Sequence, residues 1–452
     1  EYDAYNREIK KINPNGTIET KEYDGLLLSK ESDGKGTQIA HQYDAYGREI
    51  KTITTYEDGE ESITEKTYDK YGNMISSTTN GQTTTYTYDV YKQQLTTTDP
   101  LGNTSKKVYD LNGNVIKEID ALGNVTTTQY DAQGNVIATT DAKGNKETKT
   151  YTKEGLLISQ RDALGYATTY EYNTKGQVIK ASDPYKRTSE YEYDAYGNQI
   201  AVIYEGVNLE TKRYNEYGQE IYVKNTQGET STEYDRYGRI IAQTNELSGL
   251  TTYTTYDNYG NVIEESDSEG KKTKYEYDEY QRKIKTTDAY GREEELTYDE
   301  RDHVIETKNY DGTITTSVYD VQGNVIESTD ALGNTTKKTY NALNQVIKEE
   351  TKNQTNEYEY NAKGQQIIVY DKTQNTKTEY RYDANGNNIE TIDAKGNSTK
   401  KEYDEKNRII ATIDANGNKS TKEYDAYGNV IKETDALGNI KQSKYNDYGL
   451  VE

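Results

Sequence analysis

Apolar and β-branched residues fall in short runs of about six, such as NVIKET (429–434) and NIKQSKY (439–445), and most runs stop at a cluster of the kind Asp-x-x-Gly-Asn. Rich in Val, Ile, Thr and Tyr and too short for helices, the runs predict β-strands. The clusters predict hairpin turns. One clean unit, Tyr424–Lys444, reads YDAYGNVIKETDALGNIKQSK and carries two clusters about ten residues apart, at Asp425–Asn429 and Asp435–Asn439. Each suits a type I turn continued by a left-handed residue: the Asp carboxylate caps the first corner, and the Gly at the fourth place takes positive φ without a Cβ clash. The three prolines agree, since Pro14, Pro100 and Pro184 each follow the Asn or Asp of a second turn, where φ near −65° is wanted.

The tyrosine that opens the unit returns about every 21 residues, in 22 copies from Tyr2 to Tyr445. Positions below are counted from it. The clearest copies are Tyr88, Tyr109, Tyr130, Tyr172, Tyr193, Tyr256, Tyr277, Tyr298, Tyr319, Tyr403 and Tyr424, and these are expected to be structural. A period this short means stacked units, each too small to fold alone, so residues 1–452 are expected to form a single tandem-repeat domain. Strand, turn, strand, turn over the whole chain predicts an all-β antiparallel meander of about 44 strands. Accumulated twist must coil so wide a sheet, which predicts a ribbon wound as a spiral, shell-like or solenoidal and hollow.

Period-two alternation places a further tyrosine, two residues before the repeat tyrosine, on the same face, as at Tyr86, Tyr170, Tyr191, Tyr275, Tyr358 and Tyr380. Ile or Leu at +7 (Ile9, Ile50, Ile75, Leu95, Ile116, Ile137, Ile200, Ile263, Ile326, Ile431) is assigned to that layer as well. Three segments break the pattern: Thr55–Lys66 is an insertion, Gly25–Gly36 lacks a clean first turn, and Glu205–Glu210 replaces a second turn.

Composition changes this picture in one respect. With Phe and Trp absent and a net charge of −23, the chain would read as disordered were it not for 48 tyrosines. Tyrosine burial in one isolated unit does not offset the entropy of ordering it, so neighbours must share their surfaces and order cooperatively. The excess of acidic over basic residues, 78 against 55, disfavours nucleic acid and anionic lipid as partners. No run reaches the apolar length of a membrane span, so no membrane insertion is expected. Cysteine is absent, which excludes disulfides and thiolate metal sites. The chain opens within one repeat and closes within another at Asn446-Asp447-Tyr448-Gly449, and is expected to be a piece of a longer protein.

The pattern YDxxGNxI followed by D(A/P)xGN resembles the tyrosine–aspartate repeats of the Rhs/YD-repeat superfamily, and the resemblance covers the entire chain. That superfamily includes bacterial polymorphic toxins, shell-forming subunits of insecticidal toxin complexes, wall-associated toxins of Gram-positive bacteria, and the animal teneurins. The resemblance implies a spiralling sheet that forms a hollow shell, in which bacterial members sequester a C-terminal toxin. The plug segment and the aspartate-dependent self-cleavage site of such shells have no counterpart in this sequence, so neither is carried over.

Candidate chemistry is sparse. The two histidines, His41 and His303, lie in unrelated repeats, and no glycine-framed nucleophile is present, so no enzymatic activity and no cofactor are expected. Asp and Asn recur at fixed turn offsets, but no turn has the ligand density of a calcium loop; the bland reading, one Asp capping each turn, is preferred, and no metal site is assigned. A second tyrosine stands in the first turn itself in many copies: Tyr5, Tyr46, Tyr71, Tyr91, Tyr196, Tyr217, Tyr237, Tyr259, Tyr280, Tyr427 and Tyr448. Leu101, Leu122, Leu164, Leu332 and Leu437 take the matching place in second turns. Tyr196, Tyr217, Tyr237, Tyr259 and Tyr280 are candidate tip contacts for a glycan or protein; the competing expectation, which we favour, is that tips of one winding pack on the next.

The function expected from these observations is a non-enzymatic scaffold: the wall of a secreted or surface-displayed bacterial shell that encloses or presents an adjacent domain of the same polypeptide. The alternative is an extended adhesion or spacer module that binds cell-surface glycans or proteins through its hairpin tips.

Overall fold

The computed structural model describes residues 1–13, 16–446 and 451. Pro14, Asp447, Tyr448 and Gly449 lie outside the described residues. Among the described residues there are 42 strands, from Lys10–Ile12 to Ile440–Gln442, and no helix. They form an antiparallel sheet of 42 strands. At the two ends the expected strands shrink to isolated bridges, Tyr2 with Glu8 and Tyr445 with Val451.

Both turns adopt the geometry their residues demand. In the first turn of the repeat at Tyr424, the Gly428 N–H donates to the Asp425 carbonyl at 3.2 Å and the Asp425 N–H to the Asn429 carbonyl at 3.0 Å. The Asp425 carboxylate accepts from the N–H groups of Tyr427 and Asn429 and from the Asn429 side chain, all at 2.9 Å. Gly428 sits at φ 94°, in the left-handed region. Pro100 and Pro184 occupy the second corner of turns closed by Gly102 and Lys186 on the Asp99 and Asp183 carbonyls, both at 2.9 Å. Glu205 and Gly206, both at positive φ, make a two-residue hairpin between Tyr204 and Val207 where the second turn is missing. The Thr55–Lys66 insertion lengthens a hairpin, giving strands Glu49–Thr55 and Glu61–Tyr68 joined by the turn Tyr56–Glu60.

The register departs from simple alternation at one recurring place. Gln129 pairs with Ala138 but Tyr130 pairs with Val136, so Ile137 is passed over. The same slip skips Ile116, Ile200, Ile263, Ile326 and Ile431. The +7 residue is therefore the extra residue of a β-bulge, and period two does not carry across it. The most buried position is instead +8: Ala138, Ala201, Ala242 and Ala411 are almost wholly covered, while Ile263, Ile326 and Ile431 are about one-third exposed. No large side chain among the described residues is completely buried. Half-buried tyrosines serve in place of a thick core.

The bulge also explains what the repeat tyrosine does. Its hydroxyl reaches back to the +6 carbonyl of the preceding repeat: Tyr130 to Val115 at 3.0 Å, Tyr193 to Val178 at 2.8 Å, Tyr424 to Ile409 at 2.7 Å. Each ring spans one hairpin and ties its own repeat to the one before.

The chain divides into two compact units, the first comprising Glu1–Thr104 with Glu233–Thr355 and the second Ser105–Thr232 with Asn356–Glu452. Each unit consists of an earlier and a later stretch of the meander.

Candidate functional site

The side chains with chemistry to offer sit on the turns, and in unit 2 they meet across its two stretches in a regular series. The +11 aspartates of the earlier stretch face the +3 residues of the later one. Lys363 Nζ lies 3.0 Å from Asp120 Oδ2, Asn385 Nδ2 donates to Asp141 Oδ2 at 2.6 Å, and Lys406 Nζ lies 2.8 Å from Asp162 Oδ2. The Tyr427 hydroxyl donates to Asp183 Oδ2. A reciprocal pair, Lys143 with Asp383 at 3.0 Å, reinforces the second of these rungs. Every rung joins a second turn to a first turn about 240 residues later, advancing by one repeat each time.

The rungs use a spare lone pair. Within its own turn the +11 Asp spends Oδ1 on backbone N–H groups and, where the residue four places on is Asn or Arg, shares Oδ2 with that side chain, as in Asp141 with Asn145 at 2.9 Å. The incoming donor takes the remaining direction of Oδ2. Burial raises the Asp141 carboxyl, but the Asn145 side chain, the turn N–H groups and Asn385 together hold it below the ordinary carboxylate range. At the last rung the Tyr185 hydroxyl accepts from the Ala426 N–H at 3.0 Å, the Tyr185 and Tyr427 rings lie 5.2 Å apart, and the Arg187 guanidinium stands 4.6 Å from the Tyr427 ring. Burial, and then the Asp183 carboxylate, push the Tyr427 phenol up. Two clefts lie along the series, one of ≈ 490 Å³ bordered by Asp120, Asp141, Lys363 and Asn385, the other of ≈ 780 Å³ bordered by Arg187, Tyr204 and Tyr427.

Unit 1 is joined differently. Arg301, at +3 of the repeat at Tyr298, donates to Asp58 at 3.2 Å and to Glu60, with its guanidinium 4.4 Å from the Tyr56 ring. Its side chain is 9 % exposed. Lys35 reaches from the earlier stretch to Asp302 at 2.8 Å and stands 5.4 Å from the Tyr280 ring. The insertion and the irregular Gly25–Gly36 segment are thus the places where the stretches of unit 1 meet. Their sequences offered turn residues only, with nothing to pair position 58 with position 301.

The +5 residue is a second group that the repeat pattern undervalued. Where it is Asn it closes its own turn. Where it is Arg it reaches further: Arg408 Nε donates to Asp404 at 2.7 Å, Nη1 donates to the Asp425 carbonyl of the next repeat at 3.0 Å, and the guanidinium lies 4.6 Å from the Tyr424 ring. Arg48 repeats this on Asp69 and Tyr68, and Arg282 on Asp299 and Tyr298. His303 stacks on Tyr319 with ring centroids 4.4 Å apart and accordingly belongs to this column. The signal was present as the substitution of Asn by Arg or His at a fixed offset.

The expected structural tyrosines all occupy the tie between repeats where a partner is defined. Tyr88 bonds Met74, Tyr172 Leu157, Tyr256 Ile240, Tyr277 Val262, Tyr298 Lys283, Tyr319 Val304 and Tyr403 Asn388, through the carbonyl in each case and at 2.7–3.0 Å. Tyr109 is half-buried. The tip tyrosines separate into two groups. Tyr196 and Tyr217 are 93 % and 80 % exposed and Tyr237 is largely exposed, whereas Tyr259 is about half covered and Tyr280 lies under Lys35.

Comparison with known proteins follows the same lines. The model of the RHS repeat matches residues 68–104, 109–146, 151–188, 234–271, 256–293, 298–335, 319–357 and 403–440, more than half of the chain. No curated protein matches the chain significantly. Among solved structures, TcdB2-TccC3 superposes with a TM-score of 0.75 at 15% identity over 96% of this chain and 30% of that one. The Photorhabdus luminescens Tc holotoxin pore gives 0.63 at 15% identity, again over 96% and 30%, and TcdB2-TccC3-Cdc42 gives 0.65 at 16% over 100% and 30%. At these identities the likeness is one of fold, and the chain spans about 30% of the length of the structures it matches. With its eight matched segments and its β-meander of that fold, the chain belongs to the RHS repeat family.

Proposed function

We propose that this chain is a structural scaffold, the repeat wall of a secreted or surface-displayed protein that encloses or presents another domain of the same polypeptide, and that it performs no catalysis. The observation that carries the proposal is where the polar groups are spent. Turn carboxylates cap turns and hold rungs, phenols tie repeats and guanidinium groups clip one turn to the next. A wall needs these bonds, whereas a catalytic site needs such groups convergent and available to a substrate. The neighbouring structure of TcdB2-TccC3, in which two such components are joined, supports an attached domain as the partner.

A second reading rests on a separate observation, the exposure of Tyr196 and Tyr217 at hairpin tips. Exposed rings on a rigid edge can stack on sugars or on a protein partner, as an adhesive spacer requires. Small-angle X-ray scattering of the full chain separates the two readings. A compact particle with an internal density minimum is expected for the wall; a long rod without one contradicts it and favours the spacer.

A further inference from the structure

The pentapeptide DANGN occurs twice in unit 2, as the first turn 383–387 and as the second turn 414–418. The two turns fold alike. In each, the Gly N–H donates to the Asp carbonyl at 3.0 Å, and the Asp Oδ1 accepts from the N–H groups of the third and fifth residues at 2.9–3.0 Å. They differ at the side chain of the third residue. The Asn385 carboxamide donates to Asp141 Oδ2 at 2.6 Å and to Asn407 Oδ1 at 3.0 Å, and beside it Gln365 Nε2 donates to the Gly386 carbonyl at 3.0 Å. Asn416 is exposed, and its carboxamide makes no bond among the described residues. Around Gly417 the space is open, with nothing beyond its chain neighbours within 4 Å of where a Cβ would stand.

From this contrast we propose that Asn416 is a site of spontaneous deamidation and that the rung withholds Asn385 from the same reaction. Before glycine a side-chain amide can react with its own backbone, because the nitrogen that attacks has no neighbouring Cβ to hinder it and the chain is free to turn. The Gly417 nitrogen gives its proton to solvent and attacks the Asn416 Cγ. A C–N bond closes a succinimide ring, the Cγ–Nδ2 bond breaks, and Nδ2 takes up a proton from water and leaves as ammonia. Water then opens either ring carbonyl, giving aspartate or isoaspartate; the net exchange is one water for one ammonia, and a neutral amide becomes a carboxylate. The glycine must first release its bond to the Asp carbonyl, and the carboxamide must swing over the freed nitrogen. At Asn416 only the first requirement opposes the reaction. At Asn385 the bonds to Asp141 and Asn407 hold the carboxamide away from ring closure, and the Asp141 charge disfavours the anion that forms on the attacked carbonyl oxygen. The same contrast recurs in other turns. Asn112, before Gly113, is exposed with an unbonded carboxamide among the described residues, whereas Asn80, before Gly81, accepts from the Ile63 N–H at 2.8 Å and donates to the Ser62 hydroxyl at 3.2 Å.

Incubation of the full chain in warm, mildly alkaline buffer, followed by digestion and mass spectrometry of the peptides that contain each site, tests this. In the folded chain Asn416 should convert faster than Asn385 by about tenfold or more, the effect of one hydrogen bond to a charged group. In urea, where the shared pentapeptide sets both rates, the two should converge. Asp141→Asn keeps a side-chain oxygen to cap its turn, as Asn173 does in its own, and removes the anionic acceptor of the rung. In that variant Asn385 should speed up and Asn416 should keep its rate. Equal rates at the two sites in the folded chain overturn the proposal, as does an Asn416 that converts in urea but not in the folded chain, or a folded Asp141→Asn variant in which Asn385 is as slow as before. The comparison within the unaltered chain decides the matter even if the variant does not fold.

Discussion

Tyr427 and Tyr217 occupy the same +3 place in the same kind of turn and in the same unit, yet one is tied to Asp183 and the other stands 80 % exposed. The turns are alike in sequence, DAYGN and NEYGQ, and alike in hydrogen bonding, with the +1 side chain capping the N–H of the tip tyrosine at 2.9 and 3.0 Å. What differs is the place in the array. The later stretch of unit 2 lies against the +11 aspartates of the earlier stretch, and the earlier stretch presents its own first turns outward. A residue in a repeat protein thus takes its role from the neighbour its copy happens to have, and a row of identical tips contains both structural and exposed members.

Substitutions at each kind of position test this contrast. The largest effect is expected within a repeat, where both stretches are equally dependent: Tyr193→Ala should cost about 3 kcal/mol, because the half-buried ring and its bond to Val178 are lost together. Tyr193→Phe should cost about 1 kcal/mol, and a thermal melt that distinguishes the two substitutions separates packing from the hydroxyl. Next is Arg301→Ala, which removes from Asp58 and Glu60, on one turn of the insertion, the cation that meets them across the joint of unit 1; a loss of about 2 kcal/mol is expected in urea unfolding. Lys363→Ala should cost less than about 1 kcal/mol, as fits a partly exposed ion pair among several rungs. At the end of the scale, Tyr217→Ser should leave the melting temperature within experimental scatter; a drop comparable to that of Tyr193→Phe would mean that its edge is covered after all.

Acid and alkali probe the two kinds of tie separately. The Asp110 and Asp131 carboxyls are held below the ordinary range, first by the side chains of Asn114 and Asn135 and then by the turn N–H groups. Groups depressed in the folded state stabilise it fully above their unfolded pKa, and that contribution is lost as pH falls below about 4 through the folded value. Tyr275 is pushed up to about 12, by burial first and then by the Glu265 carboxylate. A raised group acts in the opposite sense: its contribution is complete below about 10 and disappears as pH rises towards about 12. Melting temperatures measured across both ranges should fall at each end, and a flat profile below pH 4 would exclude the carboxylate caps as a shared source of stability.

Much of the fold was legible because the turn chemistry is local. Asp, Gly and the prolines specify the hairpins by their own φ preferences, and repetition multiplies that signal over the chain. The layer assignment of Ile137 and its equivalents failed because alternation assumes an unbroken register, whereas a bulge at each repeat tyrosine removes the +7 residue from the pairing. The rungs were illegible for another reason. Asp141 and Asn385 are 244 residues apart, and nothing within a repeat states which other repeat will lie beside it. Arg301 and the Thr55–Lys66 insertion show the same limit, since their meaning depends wholly on each other.

The absence of cysteine allows the central claim, that first turns of the later stretch of unit 2 lie on second turns of the earlier stretch, to be tested by cross-linking on a clean background. Ala142 and Ala384 border the same cleft beside the rung of Asp141 and Asn385, and neither carries a rung bond. Ala142→Cys with Ala384→Cys, treated with a short bismaleimide at low protein concentration, should give an intramolecular link between the tryptic peptides that contain these positions. Ala142→Cys with Lys395→Cys, which moves the second thiol to the opposite turn of the same late repeat, should give none. Equal yields for the two pairs, or a link only for the second, would contradict the account.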